Sequence, residues 1–245
     1  MTPEEKFVFD LEGYIVIENV LTPHEVTELN DLIDHKFKTY PHGEEEREKS
    51  LLSWGDPLVN LIDHPRILPY LIELLGPTVR LDHDYGMFMR PGDKLDGLHG
   101  GRGGTHYYHF RNGAMENGLT VVTFCLTDNP AGVGGFACVP GSHKSNFSTR
   151  EIPQDVRSYQ RPAHYVRQPA LQAGDALIFT EATIHGTLPW TAQHERRALL
   201  FKYSPGHSSW ALDYYDNAPD GLTEQQQRLM APPSATRHPD VVDEN

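Results

Sequence analysis

Three short segments carry residues whose types and spacing could do chemistry. They are Leu98-His99-Gly100-Gly101, the run Gly134-Gly135-Phe136-Ala137-Cys138-Val139-Pro140-Gly141-Ser142-His143-Lys144, and Gly174-Asp175-Ala176-Leu177-Ile178-Phe179 followed by His185-Gly186-Thr187 and Arg196. The chain holds 14 histidines and only 2 cysteines, so a bound metal would sit among imidazoles and carboxylates rather than thiolates. Side chains two apart on a strand point the same way, which puts positions 99 and 101 on one face and lets His185, on a later strand, meet them in the mouth of a barrel. A short turn between two antiparallel strands would then bring the Arg196 guanidinium close, where it could hold a carboxylate by a bidentate fork.

The elements that must position these residues follow from periodicity and punctuation. A short helix is expected over residues 5 to 11, then a β-rich run Tyr14-Ile-Val-Ile-Glu18. Thr22-Pro23-His24-Glu25 is a capping-box signal with Pro at the first helical position, and Val26, Leu29, Leu32 and Ile33 recur at helical spacing behind it. GEEEREK, 43–49, is a solvated charge run, and 57–76 reads as short apolar helices interrupted at Pro65. From residue 78 the texture changes to short β-rich segments bounded by Gly, Pro, Asp or Asn. Helices first and strands afterwards argue an α+β chain with an antiparallel barrel or sandwich, not a βαβ fold. One domain over 1–245 is expected, helical to about 77, β to about 205, and loop-rich beyond, with a short helix near 223–230.

In FDLEGYIVIENVLTPHEV, LTDNPAGVGGFACVPGSHKSNF, and GDALIFTEATIHG with RRALLFKYSP, the sequence resembles the phytanoyl-CoA dioxygenase family of iron(II) and 2-oxoglutarate dependent oxygenases, over roughly residues 7 to 205. The resemblance implies a double-stranded β-helix of the jelly-roll or cupin type, with the N-terminal helices packed on one side. It implies that His99 and His185 ligate Fe(2+), that Arg196 binds the distal carboxylate of 2-oxoglutarate, and that Thr187 helps hold that carboxylate. His106, which would pair with Tyr108, is the alternative to His99 as first ligand.

The departure from the family lies at position 101. The family's first motif is His-x-Asp or His-x-Glu, whose carboxylate completes a two-histidine facial triad, and here it reads His99-Gly100-Gly101. Either another residue supplies the third ligand or the position is left to an exogenous anion. Asp96, Glu116 and Asp128 are the acids to consider, and none has same-face spacing to a histidine. The second option resembles the non-haem iron halogenases, in which a small residue at this position leaves room for chloride. In such enzymes a ferryl oxo, formed by oxidative decarboxylation of 2-oxoglutarate with O2, abstracts hydrogen from an unactivated carbon, and the cis chloride recombines with the radical. Within that group the chain looks most like the nucleotide chlorinases of adenosine-analogue antibiotic biosynthesis, which implies a free nucleotide, chlorinated on its deoxyadenosine sugar, as the small-molecule substrate. A small-molecule hydroxylase on the same fold and a non-catalytic β-barrel binding protein are the rival readings.

His106-Tyr107-Tyr108-His109 is expected to lid the site and contact substrate, because the cysteines are not placed to complete a zinc site with it. Arg102 and Arg111 would add positive charge for an anion or a substrate phosphate. His143 is read as a turn residue, Gly134-Gly135 as a turn or bulge, and Cys125 and Cys138 as small buried hydrophobes. A formal charge of −13, from 34 acids against 21 bases, excludes an electrostatic grip on a nucleic-acid polymer or an anionic membrane. No run of ~18 apolar residues and no basic-then-apolar leader appears, so a cytoplasmic protein is expected. Oligomeric state is not legible in the sequence.

Overall fold

The computed structural model describes residues 1–37, 50–95, 97–211 and 218–242, so the charge run at 43–49 lies outside the described residues. The chain opens with α1 (Pro3–Glu12), β1 (Tyr14–Ile17) and α2 (Pro23–Phe37), followed by α3 (Asp56–Val59) and α4 (Leu68–Leu75). The strands are β2 (Arg80–Met89), β3 (His99–Gly100), β4 (Tyr108–Arg111), β5 (Ala114–Asn117), β6 (Thr120–Cys125) and β7 (Gly135–Cys138). A short helix α5 (Gln154–Arg157) precedes β8 (Ala176–Thr180), β9 (Ile184–Leu188) and β10 (Arg196–Ser204), and α6 (Glu224–Leu229) lies in the tail.

Local chemistry sets the helix ends as the sequence led us to expect. The backbone N–H of Glu25 donates to Thr22 Oγ1 (3.3 Å), and Thr22 N donates back to Glu25 Oε2 (2.7 Å), closing the capping box at the start of α2. At the other end of the first helix, Gly13 takes φ +82°, and its N–H donates to Phe9 O.

Two antiparallel sheets face each other. The larger has the order β1-β8-β6-β10-β2 and the smaller β3-β9-β7, while β4 and β5 form a separate hairpin. Strand alternation divides each strand between two cores. Leu177 and Phe179 of β8, Ala198 and Leu200 of β10, and Met87 and Met89 of β2 join Phe136 and Cys138 of β7 between the sheets. Ile178, Leu199, Phe201 and Phe88 point the other way, against Leu29 and Ile33 of α2 and Leu71 and Leu74 of α4. Burying each such side chain contributes about 1.5–3 kcal/mol, which fixes the helices on the outer face of the larger sheet. This is the α+β antiparallel sandwich expected from the order of elements, in the jelly-roll form that the family resemblance implied.

Three details depart from expectation. β1, the β-rich run expected at Tyr14–Glu18, joins the large sheet as its edge strand and pairs Tyr14 with Phe179, so the β core is not confined to residues 78–205. The turn from β9 to β10 does not make a hairpin: β9 pairs with β3 and β7, whereas β10 pairs with β2 and β6. Arg196 therefore reaches the interior across the sandwich, on the face opposite β9, and not along a shared ladder. Third, β3 ends at Gly100, and Gly101 leaves it at φ +98°, so the alternation expected to put 99 and 101 on one face stops one residue short.

Candidate active site

His99 and His185 are direct antiparallel partners on β3 and β9, and their ring centroids lie 4.6 Å apart. Each ring is oriented through its Nδ1, which donates to a backbone carbonyl: His99 to Gly97 O (2.8 Å) and His185 to Thr183 O (2.7 Å). That arrangement fixes the tautomer and leaves the Nε2 lone pair of each ring available, the usual preparation of a metal-ligating histidine. His185 is buried, and burial pushes its pKa down to about 4, so the ring is neutral near pH 7. Phe179 and Phe136 stand beside it, with centroids at 4.8 and 6.3 Å, and form an apolar wall.

Deeper between the sheets sits Arg196, 4% exposed. No carboxylate pairs with it among the described residues. Its hydrogen bond goes to Met89 Sδ at 3.8 Å, and Thr187 Oγ1 likewise donates to a thioether, Met87 Sδ at 3.7 Å. Sulfur is a weak acceptor, so a buried guanidinium and a buried hydroxyl share a pocket with no strong protein acceptor. A carboxylate ligand would satisfy both, and the fork geometry of Arg suits it. Gly135 of β7 lies against the guanidinium: at φ +87°, a Cβ there would collide with Asn129 Oδ1 and stand 3.0 Å from Arg196 Nε. Arg197, its neighbour, faces outward to Asp34, Glu195 and Asn30.

Position 101 holds no carboxylate, and the backbone does not readily accept one. A Cβ on Gly101 would meet Thr149 Oγ1 (3.3 Å) and Ile184 Cγ1 (3.4 Å), with no imidazole atom within 4 Å. Among the described residues no three His, Cys, Asp or Glu side chains close into a group that could hold a metal. Glu116 is exposed on the β4–β5 hairpin, Asp128 is exposed and accepts from Ala173 N (2.9 Å), and Asp96 lies outside the described residues.

The acid that does approach the pair escaped the sequence reading. Glu181, one residue past β8 and buried, places Oε2 3.7 Å from His185 Nε2 and Oε1 2.7 Å from Lys202 Nζ. Burial opposes its ionisation, but the neighbouring imidazole and the Lys202 ammonium, which also hydrogen-bonds it, outweigh that and hold the carboxyl below the usual range. The signal was present as Glu181-x-x-x-His185, a spacing without strand meaning. It is the turn between β8 and β9 that brings the two together.

The remaining expected substrate or anion contacts are scattered. His106 sits beside the pair, half-buried, with Nε2 unpartnered; burial lowers its pKa while Glu181 counters. His109 and Arg111 lie on the β4–β5 hairpin, where Asn112-Gly113 turn at positive φ, and neither makes a hydrogen bond or ion pair with His99 or His185. Tyr108 of that hairpin docks on α1, donating to Asp10 and packing on His143 and Phe9, so this part of the expected lid is a structural brace. Arg102 is exposed. Cys125 and Cys138 are buried free thiols, which burial pushes up to about 12.

Two imidazoles paired on neighbouring strands of a jelly-roll, with a buried guanidinium behind them, are the arrangement that the sequence resemblance implied. The phytanoyl-CoA dioxygenase (PhyH) family model matches residues 9–198, and the chain belongs to that family of iron and 2-oxoglutarate dependent enzymes. It is 24% identical over 221 residues to an ectoine dioxygenase of Nocardia farcinica (strain IFM 10152), covering 75% of this chain and 71% of that protein. Its fold is similar to that of HygX from Streptomyces hygroscopicus, crystallised with nickel and 2-oxoglutarate (TM-score 0.79, 22% identity, 87% of this chain and 91% of that one). It is also similar to SnoK, an alpha-ketoglutarate dependent carbocyclase of nogalamycin biosynthesis (TM-score 0.64, 21% identity, 84% and 85%). No helix among the described residues is long and apolar enough to cross a membrane.

Proposed function

We propose that the protein is an iron(II) and 2-oxoglutarate dependent halogenase that places chloride on an unactivated carbon of a small molecule, with a free deoxyadenosine nucleotide as the substrate. The observation that carries the reading is the pair of Nε2-presenting histidines with glycine, not an acid, at position 101. His99 and His185 would hold iron, and the buried Arg196 with Thr187 would take the distal carboxylate of 2-oxoglutarate. When bound, iron with 2-oxoglutarate and O2 supplies an oxidant strong enough to remove hydrogen from an aliphatic carbon. The chain's own part is orientation and exclusion. Backbone carbonyls fix both rings, Phe136 and Phe179 keep water off His185, and Lys202 neutralises the one nearby carboxylate, leaving a position beside the histidines to an exogenous anion.

A second reading is favoured by one distance. Glu181 Oε2, 3.7 Å from His185 Nε2, would have to turn from Lys202 toward the pair to serve as a carboxylate ligand, and doing so would make the enzyme a hydroxylase. The ectoine dioxygenase relative is named for that kind of chemistry. Incubation with iron(II), 2-oxoglutarate, O2 and 2′-deoxyadenosine 5′-monophosphate, with chloride or bromide in turn, separates the two. Products whose mass follows the halide support the halogenase, and hydroxylated product alone refutes it.

A further inference from the structure

The inner row of β2 runs outward from Met89 beside Arg196, through Met87 and Tyr85, to His83, and an exposed tryptophan closes the row. Trp210 is 56% exposed and stacks on His83 (centroids 4.9 Å apart, planes 26° apart), which in turn stacks near Tyr85 (6.1 Å, 17°). Lys202 Nζ sits over Tyr85 at 5.4 Å and over Trp210 at 5.9 Å while bonded to Glu181, the neighbour of His185. An aromatic stack thus stands next to the Lys202–Glu181 ion pair that borders His185.

Exposed tryptophans are ordinarily free to turn, and this one is built in. Asp82 is fully buried, and its carboxylate accepts five hydrogen bonds. Oδ2 takes Trp210 N (2.8 Å), Ser204 Oγ (2.9 Å) and Arg80 Nη1 (3.2 Å), and Oδ1 takes Ala211 N (2.9 Å) and His83 Nδ1 (2.8 Å). One ionised group therefore fixes both the backbone beneath Trp210 and the ring against which Trp210 leans. A buried charge spent on holding an apolar ring in solvent has no use in the core, but it preorganises a flat recognition surface at low entropic cost.

We propose that the free face of Trp210, braced by His83 and Asp82, is the platform on which a planar heteroaromatic ring of the substrate stacks, so that the attached aliphatic part reaches the histidine pair. The proposal deepens the reading above, since a purine base is such a ring, but it requires only that His99 and His185 mark the reacting end of the bound substrate.

The test is calorimetric binding to the anaerobic enzyme loaded with iron(II) and 2-oxoglutarate, using 2′-deoxyadenosine 5′-monophosphate and, separately, 2-deoxyribose 5-phosphate. Trp210→Ala is expected to weaken the nucleotide by about tenfold or more and Trp210→Phe by no more than about threefold, with the sugar phosphate unchanged by either. Unchanged nucleotide affinity in Trp210→Ala, or equal loss for both ligands, overturns the platform. If the wild type does not bind the nucleotide, adenine and indole decide. Binding of either that depends on Trp210 keeps the platform and sinks the nucleotide, whereas no binding of either sinks the platform. Halogenation is read independently, from product mass.

Discussion

Nε2 of His185 lies 3.7 Å from Oε2 of Glu181, whose other oxygen is held 2.7 Å from Lys202 Nζ. The same carboxylate is therefore both the best available substitute for the family's missing acid and a group already engaged by a buried cation. Glu181→Gln leaves Lys202 buried and unpaired, and breaking such a pair costs about 3–5 kcal/mol. Adding Lys202→Met should recover most of that, and denaturant unfolding of the two single variants and the double variant measures it. In the double variant cobalt(II) affinity should stay within a few-fold of wild type, because the halogenase reading does not use Glu181 as a ligand. A loss well beyond tenfold would make Glu181 the third ligand.

Arg196 gives a prediction in which stability and binding move in opposite directions. Its guanidinium is desolvated and unpaired by any described carboxylate, so Arg196→Met removes an uncompensated buried charge. The ligand-free protein should be as stable as wild type or more so, while 2-oxoglutarate affinity falls by about 2–5 kcal/mol, the cost of losing one side of a buried charge pair. Thermal melts with and without 2-oxoglutarate show both effects. A variant that melts early yet keeps its stabilisation by 2-oxoglutarate would place that ligand elsewhere.

Gly135→Ala tests the room made for that guanidinium. The position sits at φ +87°, and the new methyl would run into Asn129 Oδ1 first and press on Arg196 Nε at 3.0 Å. We expect ~1–3 kcal/mol of destabilisation from the left-handed backbone, together with a raised KM for 2-oxoglutarate. A destabilised enzyme with unchanged KM would show that Gly135 serves only its turn.

The acid limb of stability should carry a contribution from His143. This ring is fully buried, its Nε2 bonded to Asp10 O at 3.0 Å, and burial pushes its pKa down to about 4. The unfolded chain protonates it at its ordinary value near 6.5, so the folded state binds fewer protons in between. The contribution is complete above pH 6.5 and is lost as pH falls toward about 4, amounting to ~3 kcal/mol. The stability difference between wild type and His143→Asn should shrink over that window when followed by urea unfolding. A difference independent of pH would remove His143 from the account.

What the sequence disclosed, and what it did not, follows from how local each relationship is. The capping box at Thr22 and Glu25 rests on spacing within one element and stands as expected, while alternation along β10 turns Arg196 inward and Arg197 toward Asp34 and Glu195. The His99–His185 pairing came from motif resemblance, and the ladder between β3 and β9 realises it. Glu181 and Lys202 were invisible because they meet only when β8 and β10 both flank β6 in register. Asp82 and Trp210 were missed for a similar reason, since the buried carboxylate reads as a strand residue until the chain folds back over it. The expected shared face of 99 and 101 failed because a two-residue strand ends before alternation can act.

The central claim is that the metal site leaves a position for halide. X-ray absorption at the iron edge, on anaerobic enzyme with iron(II), 2-oxoglutarate, the nucleotide and chloride, tests it directly. The account predicts a chloride scatterer in the iron shell, replaced by bromide on exchange of salt and retained in the Glu181→Gln, Lys202→Met double variant. A shell of nitrogen and oxygen alone, insensitive to halide and short of one oxygen in that variant, would contradict it.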